Sequence, residues 1–323
     1  MRAVRVHELI GPASLRVDDV PEPQVRAGQV LIDVRAAGVN FPDVLLTYGK
    51  YQFKPAPPFS PGGEAAGVVR AVGAGVTRVK VGDRVAAILI YGAFAEQVVA
   101  PEMTVVKLPD AVSFEVGAAT MMTYATTYHA LVDRAAIVAG ETLLVLGAAG
   151  GVGIAAVELG VLLGARVIAA ASSEAKLAFC REHGAKDVID YSREDLKERI
   201  KALTSGNGVD VVYDPVGGKY TEPALRGMAW QGRYLVIGFA AGDIPKIPLN
   251  LVLLKGCQIT GVFWGSFAAR EPAKNHAHAE QLFAWIAEGK LRPTVETLPF
   301  AAAAEALGRL ERREVRGKLV LIP

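Results

Sequence analysis

The stretch Thr142-Leu-Leu-Val-Leu-Gly147-Ala148-Ala149-Gly150-Gly151-Val152-Gly153-Ile-Ala-Ala-Val-Glu158-Leu159 decides the fold. An aliphatic strand runs into a turn made of Gly and Ala, and a helix follows. Small residues let the backbone approach a pyrophosphate, whose charge faces the N-terminus of the helix and its unpaired N–H groups. The strict G-x-G-x-x-G spacing is altered, because Ala148 stands where the first Gly would be. A second strand follows at Arg166–Ala170, and that strand–turn–helix–strand setting predicts a dinucleotide-binding turn at Ala149, Gly150, Gly151 and Val152.

The end of that second strand indicates which dinucleotide. An NAD site carries an Asp or Glu about 20 residues beyond the turn to hold the ribose 2′-OH. Here the strand ends Ala169-Ala-Ala171-Ser172-Ser173, with no acid. Ser172 and Ser173 can donate to a 2′-phosphate, Lys176 supplies charge and Tyr191, after the third strand, adds a hydroxyl. A carboxylate would repel a phosphate, so the expected cofactor is NADPH. The plainer alternative makes Ser172 a helix cap and Lys176 a solvated side chain. Glu174 belongs to the next helical turn and is expected to point away.

Outward from this turn, strand-like runs at Thr142–Leu146, Arg166–Ala170, Asp187–Ile189, Val209–Tyr213, Arg233–Ile237 and Cys257–Gly261 alternate with helical stretches near 152–163, 174–183, 193–203, 219–228 and 248–255. That alternation predicts an α/β doubly wound parallel sheet of six strands. Upstream the texture differs. Short alternating runs at Gln29–Ala36, Ala65–Val72, Arg84–Tyr91 and Phe94–Ala100, broken by Gly and Pro, predict a mostly antiparallel β unit. Pro55-Ala-Pro-Pro-Phe-Ser-Pro61 reads as a loop, because proline lacks the ladder donor. Ser113 is a candidate cap for a helix continuing to Asp133. The tail predicts helices near 274–288 and 301–311 and strands at Thr294–Leu298 and Lys318–Ile322.

Composition narrows the classes. A chain of 323 residues is expected to form two domains. Its 35 Lys+Arg against 33 Asp+Glu, spread along the chain, leave no cluster suited to nucleic acid as a primary partner. The longest stretch without an acid or base, Val116–Val132, is 17 residues and carries Thr, Tyr and His. A membrane span needs about 20 predominantly apolar residues, so none is expected. The N-terminal residues lack a signal-peptide core, and the two cysteines, Cys180 and Cys257, cannot build a disulfide framework. Both features predict a soluble, cytoplasmic protein.

Five segments in order carry a family resemblance: Ala37-Gly-Val-Asn40-Phe-Pro-Asp43, Pro61-Gly-Gly63-Glu64-Ala-Ala-Gly67, Val81-Gly-Asp83-Arg84-Val85, Ala148-Ala-Gly-Gly-Val-Gly153 and Gly317-Lys318-Leu-Val-Leu321. With them the chain resembles the zinc-independent quinone oxidoreductase, or zeta-crystallin-like, group of the medium-chain dehydrogenase/reductase superfamily. The resemblance implies a GroES-like catalytic domain from residues 1–123 and 266–323, with a Rossmann NADPH-binding domain at 124–265 inserted into it. Zinc-dependent relatives place Cys where Asn40 stands and His where Gly63 stands, and neither substitute suits zinc. Their four-cysteine lobe is missing after Val85, so no metal is expected.

The resemblance further implies a nicotinamide between the domains, with Asn40 beside it and Tyr51 lining the acceptor pocket. Asn40 and Tyr51 are thus the expected catalytic residues, with Tyr51 the candidate proton donor and Tyr48 a weaker one. Thr126, Gly238, Phe239, Phe263, Trp264 and Gly265 are expected near the nicotinamide end, and Arg313 and Lys318 are expected to reach the cofactor from the C-terminal segment. Plain packing is the alternative for Phe239, Phe263 and Trp264, and a surface salt bridge for Arg313 and Lys318. The implied reaction is hydride transfer from NADPH to a quinone. Reduction of an enone or of an enoyl or acrylyl thioester is the enzymatic alternative. An NADPH-binding crystallin-like or RNA-binding protein is the non-enzymatic one. A homodimer through the sixth parallel strand, around Gln258–Phe263, is also implied.

Overall fold

The computed structural model describes all 323 residues. They divide into two compact units, Thr123–Ala269 and the combination of Met1–Met122 with Arg270–Pro323. No helix is long and apolar enough to cross a membrane.

The unit Thr123–Ala269 is built on a parallel sheet. Its strands are Thr142–Leu146, Arg166–Ala171, Asp187–Asp190, Val209–Asp214, Met228–Val236 and Gln258–Gly261. In sequence order within the unit they lie side by side as 3-2-1-4-5-6, every neighbouring pair parallel. This is the doubly wound order, with its switch point between the first and fourth strands. Leu144 pairs with Ile168 on one side and Val212 on the other, and all three are fully buried. Continuous aliphatic runs of this kind suit a sheet covered on both faces, each side chain contributing about 1.5–3 kcal/mol on burial. The intervening helices are Gly151–Leu162, Glu174–Glu182, Leu196–Leu203, Thr221–Arg226 and Leu249–Lys255.

In the other unit the strands run Val295–Pro299, Lys318–Ile322, Gln29–Gly38, Glu64–Val72, Arg84–Ile88 and Val105–Lys107 across one sheet, and Gln97–Pro101 pairs with Gln29–Gly38. All pairs are antiparallel except Val295–Pro299 with Lys318–Ile322. The C-terminal strand returns against the long N-terminal one, pairing Val320 with Gly38 and Leu321 with Ala37. That pairing brings Lys318 beside Asn40.

Four elements differ from the sequence expectation. Residues 114–134 do not form one regular helix: α-helical Phe114–Thr120 passes into π-helical Met121–Ala125, a short α turn at Thr126–Tyr128, then π-helical His129–Arg134. Ser113 does cap the start, accepting from Val116 N at 3.3 Å. Thr120 and Thr127 donate back to Val116 O and Thr123 O, bonds that compete with regular helix pairing. The helix Phe41–Thr47 begins just after Asn40 and the helix Trp264–Arg270 just after the sixth parallel strand, and neither was expected. The strand expected at Phe94–Ala100 begins only at Gln97 and runs to Pro101.

Candidate cofactor and active site

The glycine turn bends where Gly147 adopts φ +59°. Gly150 N–H donates back to Gly147 O at 3.1 Å, and Ala148 N–H to Ala170 O at 3.1 Å, fixing the turn to the second strand. A Cβ on Gly153 would lie 2.3 Å from Gly147 O, so only glycine lets the helix start this close to the strand. The helix Gly151–Leu162 has twelve residues and no side-chain cap at its N-terminus. Ala149 is buried, and Gly150, Gly151 and Val152 are half-buried around the uncapped N–H groups. The arrangement fits a pyrophosphate.

Where the second and third strands end, Ala171 O accepts from Tyr191 N–H at 3.1 Å, which sets Tyr191 beside Ser172. Ser172 is exposed and its Oγ lies 3.4 Å from Lys176 Nζ. The N-cap of the next helix is Ser173, not Ser172, and Ser173 makes no side-chain capping bond. Glu174 pairs with Arg181, so its carboxylate is engaged along the helix. Tyr191 packs its ring against Tyr220, with centroids 4.4 Å apart. Ser172, Ser173, Lys176 and Tyr191 therefore gather at one end of the sheet with no acid among them.

The ends of the fourth and fifth strands are set by Asp214. This buried carboxylate accepts from Val216 N and Gly217 N at 2.8 Å each and from Thr221 Oγ1 at 3.1 Å, and Tyr234 Oη donates to it as well. Gly238 N–H donates to Asp214 O at 3.3 Å, and Phe239 lies over Gly217. Phe263 is 61% exposed and Gly265 is exposed, whereas Trp264 is buried and opens its helix. Thr126 opens the short α-helical turn Thr126–Tyr128 and sits half-buried inside the π-distorted segment. Its neighbour Thr127 bonds Tyr213 Oη at 2.8 Å and Val152 O at 3.3 Å, beside the glycine turn.

In the other unit Asn40 forms the centre of a buried polar cluster. Its N–H donates to Asp43 Oδ2 at 2.8 Å, and Asp43 Oδ1 accepts from Gly62 N–H at 3.1 Å. Asn40 Nδ2 donates to Gly38 O at 3.3 Å and to Glu64 Oε2 at 3.1 Å. Lys318 Nζ donates to Asn40 Oδ1 and, at 2.9 Å, to Glu64 Oε2, while Met122 N–H holds Glu64 Oε1 at 2.9 Å. Burial pushes the Asp43 carboxyl up to about 7, against the lowering effect of the Asn40 and Gly62 N–H groups and of Lys318. Lys318 was expected on the cofactor or in a surface salt bridge. Its ammonium is instead held inside the unit, because the pairing of the C-terminal strand turns it toward Asn40 and Glu64.

Tyr51 is half-buried against Val6, Leu46 and Phe59, and burial together with the charge of Asp43 raises its phenol, keeping it protonated. Tyr48 is directed elsewhere: Glu311 raises its phenol and its ring lies against Gly11, which takes it away from this cluster. Arg313 is exposed just past the helix Ala303–Glu311, at φ +60°, with its N–H on Leu310 O. Gly63 is buried, an added Cβ there would stand 3.3 Å from Leu89 O, and no three His, Cys, Asp or Glu side chains stand together in a way that could hold a metal ion. Sequence reading missed Glu64, Asp43 and Asp214 as site-building groups. The available signal was a single acid heading the apolar run Glu64-Ala-Ala-Gly-Val-Val69.

Comparison with known proteins matches residues 26–110 to the alcohol dehydrogenase GroES-like domain family and residues 151–284 to the zinc-binding dehydrogenase family. A quinone oxidoreductase-like protein 2 homolog of Nematostella vectensis is 37% identical over 99% of this chain and 88% of its own length. A quinone oxidoreductase of Pseudomonas aeruginosa is 38% identical over 97% of both chains. Among solved structures, the Escherichia coli quinone oxidoreductase complexed with NADPH superposes with a TM-score of 0.94 at 31% identity, covering 100% of each chain.

Proposed function

This chain belongs to the quinone oxidoreductase group of the medium-chain dehydrogenase/reductase superfamily, and from that premise we propose that it is a zinc-independent, NADPH-dependent quinone reductase. The observation that carries the cofactor choice is the group Ser172, Ser173, Lys176 and Tyr191, free of acid, beside the uncapped glycine turn. Ala149, Gly150, Gly151 and Val152 hold the pyrophosphate in this reading, and the four polar residues hold the 2′-phosphate. Asn40, Thr126, Gly238, Phe239, Phe263, Trp264 and Gly265 are assigned to the nicotinamide end, with Arg313 on the outer rim. Lys318 acts on that end through Asn40.

Bound NADPH supplies a hydride to an electron-poor acceptor. The protein orients the reactants and excludes water. Quinones suit a site without a Lewis acid, because the developing charge spreads over their oxygens. Tyr51, held protonated, is the group able to donate a proton or hydrogen bond to the reduced acceptor. The edge strand Gln258–Gly261 has one side without a partner strand, and the preceding helix exposes Leu249, Leu253 and Leu254, which supports a homodimer across that edge.

The deciding experiment is an NADPH-oxidation screen over quinones, enones and enoyl thioesters, with NADH run in parallel. Turnover of quinones with NADPH preferred is the expected result. Turnover confined to thioesters would move the acceptor to conjugated acyl thioesters, and a preference for NADH would overturn the cofactor reading. Tyr51→Phe is expected to slow quinone reduction, and unchanged rates across pH would remove the proton-donor role.

A further inference from the structure

Asn40, Glu64 and Lys318 come from three distant parts of the chain and are all buried. A carboxamide has two N–H donors and one oxygen with two lone pairs. In Asn40 both donors are used, one by Gly38 O and one by Glu64 Oε2, and one lone pair of Oδ1 is taken by Lys318 Nζ. Turning the amide over would aim Nδ2 at the ammonium of Lys318. It would also set Oδ1 against the Glu64 carboxylate and the Gly38 carbonyl. Each of the three bonds would become a like-with-like clash among buried groups, so a single orientation is allowed.

We propose that Lys318 and Glu64 are positioning residues that lock the Asn40 carboxamide in one orientation and leave it able only to accept a hydrogen bond. The frame around them is rigid. Lys318 opens the strand that pairs Val320 with Gly38, Val39 N–H donates to Leu319 O at 2.9 Å, Met122 N–H fixes the other oxygen of Glu64, and Asp43 holds the Asn40 N–H. An Oδ1 held in this way can meet a ligand only as an acceptor, which matches a group bearing N–H or O–H, such as a primary carboxamide. It cannot donate to the carbonyl oxygen of a quinone. Asn40 is thereby a binding residue for the dinucleotide, and polarisation of the acceptor falls to other groups. The inference rests on the placement of Asn40 at the nicotinamide end.

Two measurements test it. In protein carrying 15N-asparagine and no dinucleotide, both Nδ2 protons of Asn40 (assigned by their loss in Asn40→Asp) should exchange slowly with solvent. Lys318→Met and Glu64→Gln should each accelerate that exchange about tenfold or more, and Lys318→Arg should restore part of the protection. Exchange as fast in the wild type as in the variants would overturn the lock. Calorimetric titration with NADP+ then asks whether Lys318 acts through Asn40. Lys318→Met should weaken binding about tenfold when Asn40 is present and by less than about twofold in an Asn40→Ala background. Equal losses in both backgrounds would overturn the positioning role. A wild-type protein that binds no NADP+ would overturn the functional reading, and the exchange arm would decide the lock by itself.

Discussion

Lys318 Nζ and Glu64 Oε2 lie 2.9 Å apart with side chains only 6% and 0% exposed, so the last strand of the chain is tied to the GroES-like unit by an ion pair almost wholly removed from water. A pair of this kind is weak evidence for net stability, because desolvation offsets most of the attraction, yet removing one partner leaves an uncompensated buried charge.

Lys318→Met should therefore destabilise this unit by about 3–5 kcal/mol. Adding Glu64→Gln should recover part of the loss by removing the orphaned carboxylate. Urea unfolding of the two variants checks this, and a single variant as stable as the wild type would refute it.

Asp43 gives stability a particular pH dependence. Its carboxyl is raised from 3.8 to about 7 by burial, so between those values the folded protein holds a proton that the unfolded chain releases. Stability from this group is thus greatest at low pH, falls as pH rises from about 4 to 7, and levels off above. The slope approaches about 1.4 kcal/mol per pH unit in that window. Asp43→Asn should remove this contribution while lowering baseline stability, because an amide N–H then faces a backbone N–H. Unfolding curves at pH 5 and pH 8 for both proteins measure the difference, and parallel changes would sink the assignment.

The parallel sheet was legible because its signals are local: aliphatic runs of strand length, Gly or Ser at their ends, and helical spacing between. Ser172, Lys176 and the uncapped turn were readable for the same reason, since strand, turn and cap are neighbours in sequence. The lock on Asn40 was not. Glu64 is 24 positions away and Lys318 is 278 away, and only the return of the C-terminal strand joins them. The π-helical stretches between Met121 and Arg134 were hidden too, because threonine hydroxyls and packing, rather than the apolar period, set the backbone there. Phe41–Thr47 escaped notice as seven residues starting at a proline-bearing turn, too short to show a helical period.

Gly153→Ala tests the turn. The added methyl would stand 2.3 Å from Gly147 O and 2.8 Å from Ala148 Cα, both backbone atoms, so the helix must shift away from the first strand. Overpacking of this kind costs about 1–3 kcal/mol and displaces the N–H groups assigned to the pyrophosphate. Lower thermal stability together with a loss of NADPH affinity of about tenfold or more is expected, read by thermal shift and calorimetry. Unchanged affinity would place the phosphates elsewhere.

Lys176→Ala separates the two dinucleotides. If Lys176 meets a 2′-phosphate, its loss removes a charge-assisted bond of about 1.5–3 kcal/mol, roughly ten- to a hundredfold in NADPH affinity. NADH carries no such group and should bind as before. Titration of both cofactors against wild type and variant gives the answer, and equal losses would assign Lys176 a purely structural part.

The remaining prediction concerns the free edge of the parallel sheet. An edge strand offers unpaired N–H and C=O groups, and proteins that leave one open usually guard it with charge, proline or a bulge. Gln258–Gly261 has none of these along its four residues. The helix just before it exposes Leu253 to 79% and Leu254 to 72%, and Trp230 is similarly exposed. Surfaces of this kind are stable in water when a second copy covers them, because the apolar burial and the strand pairing act together. Light scattering should give a mass near twice 34.1 kDa. The pair of substitutions Leu253→Glu and Leu254→Glu should yield monomer with the fold retained by circular dichroism, since both side chains face solvent within one chain. A wild-type protein that is monomeric at micromolar concentration, or a variant that stays dimeric, would show that the edge is covered in some other way.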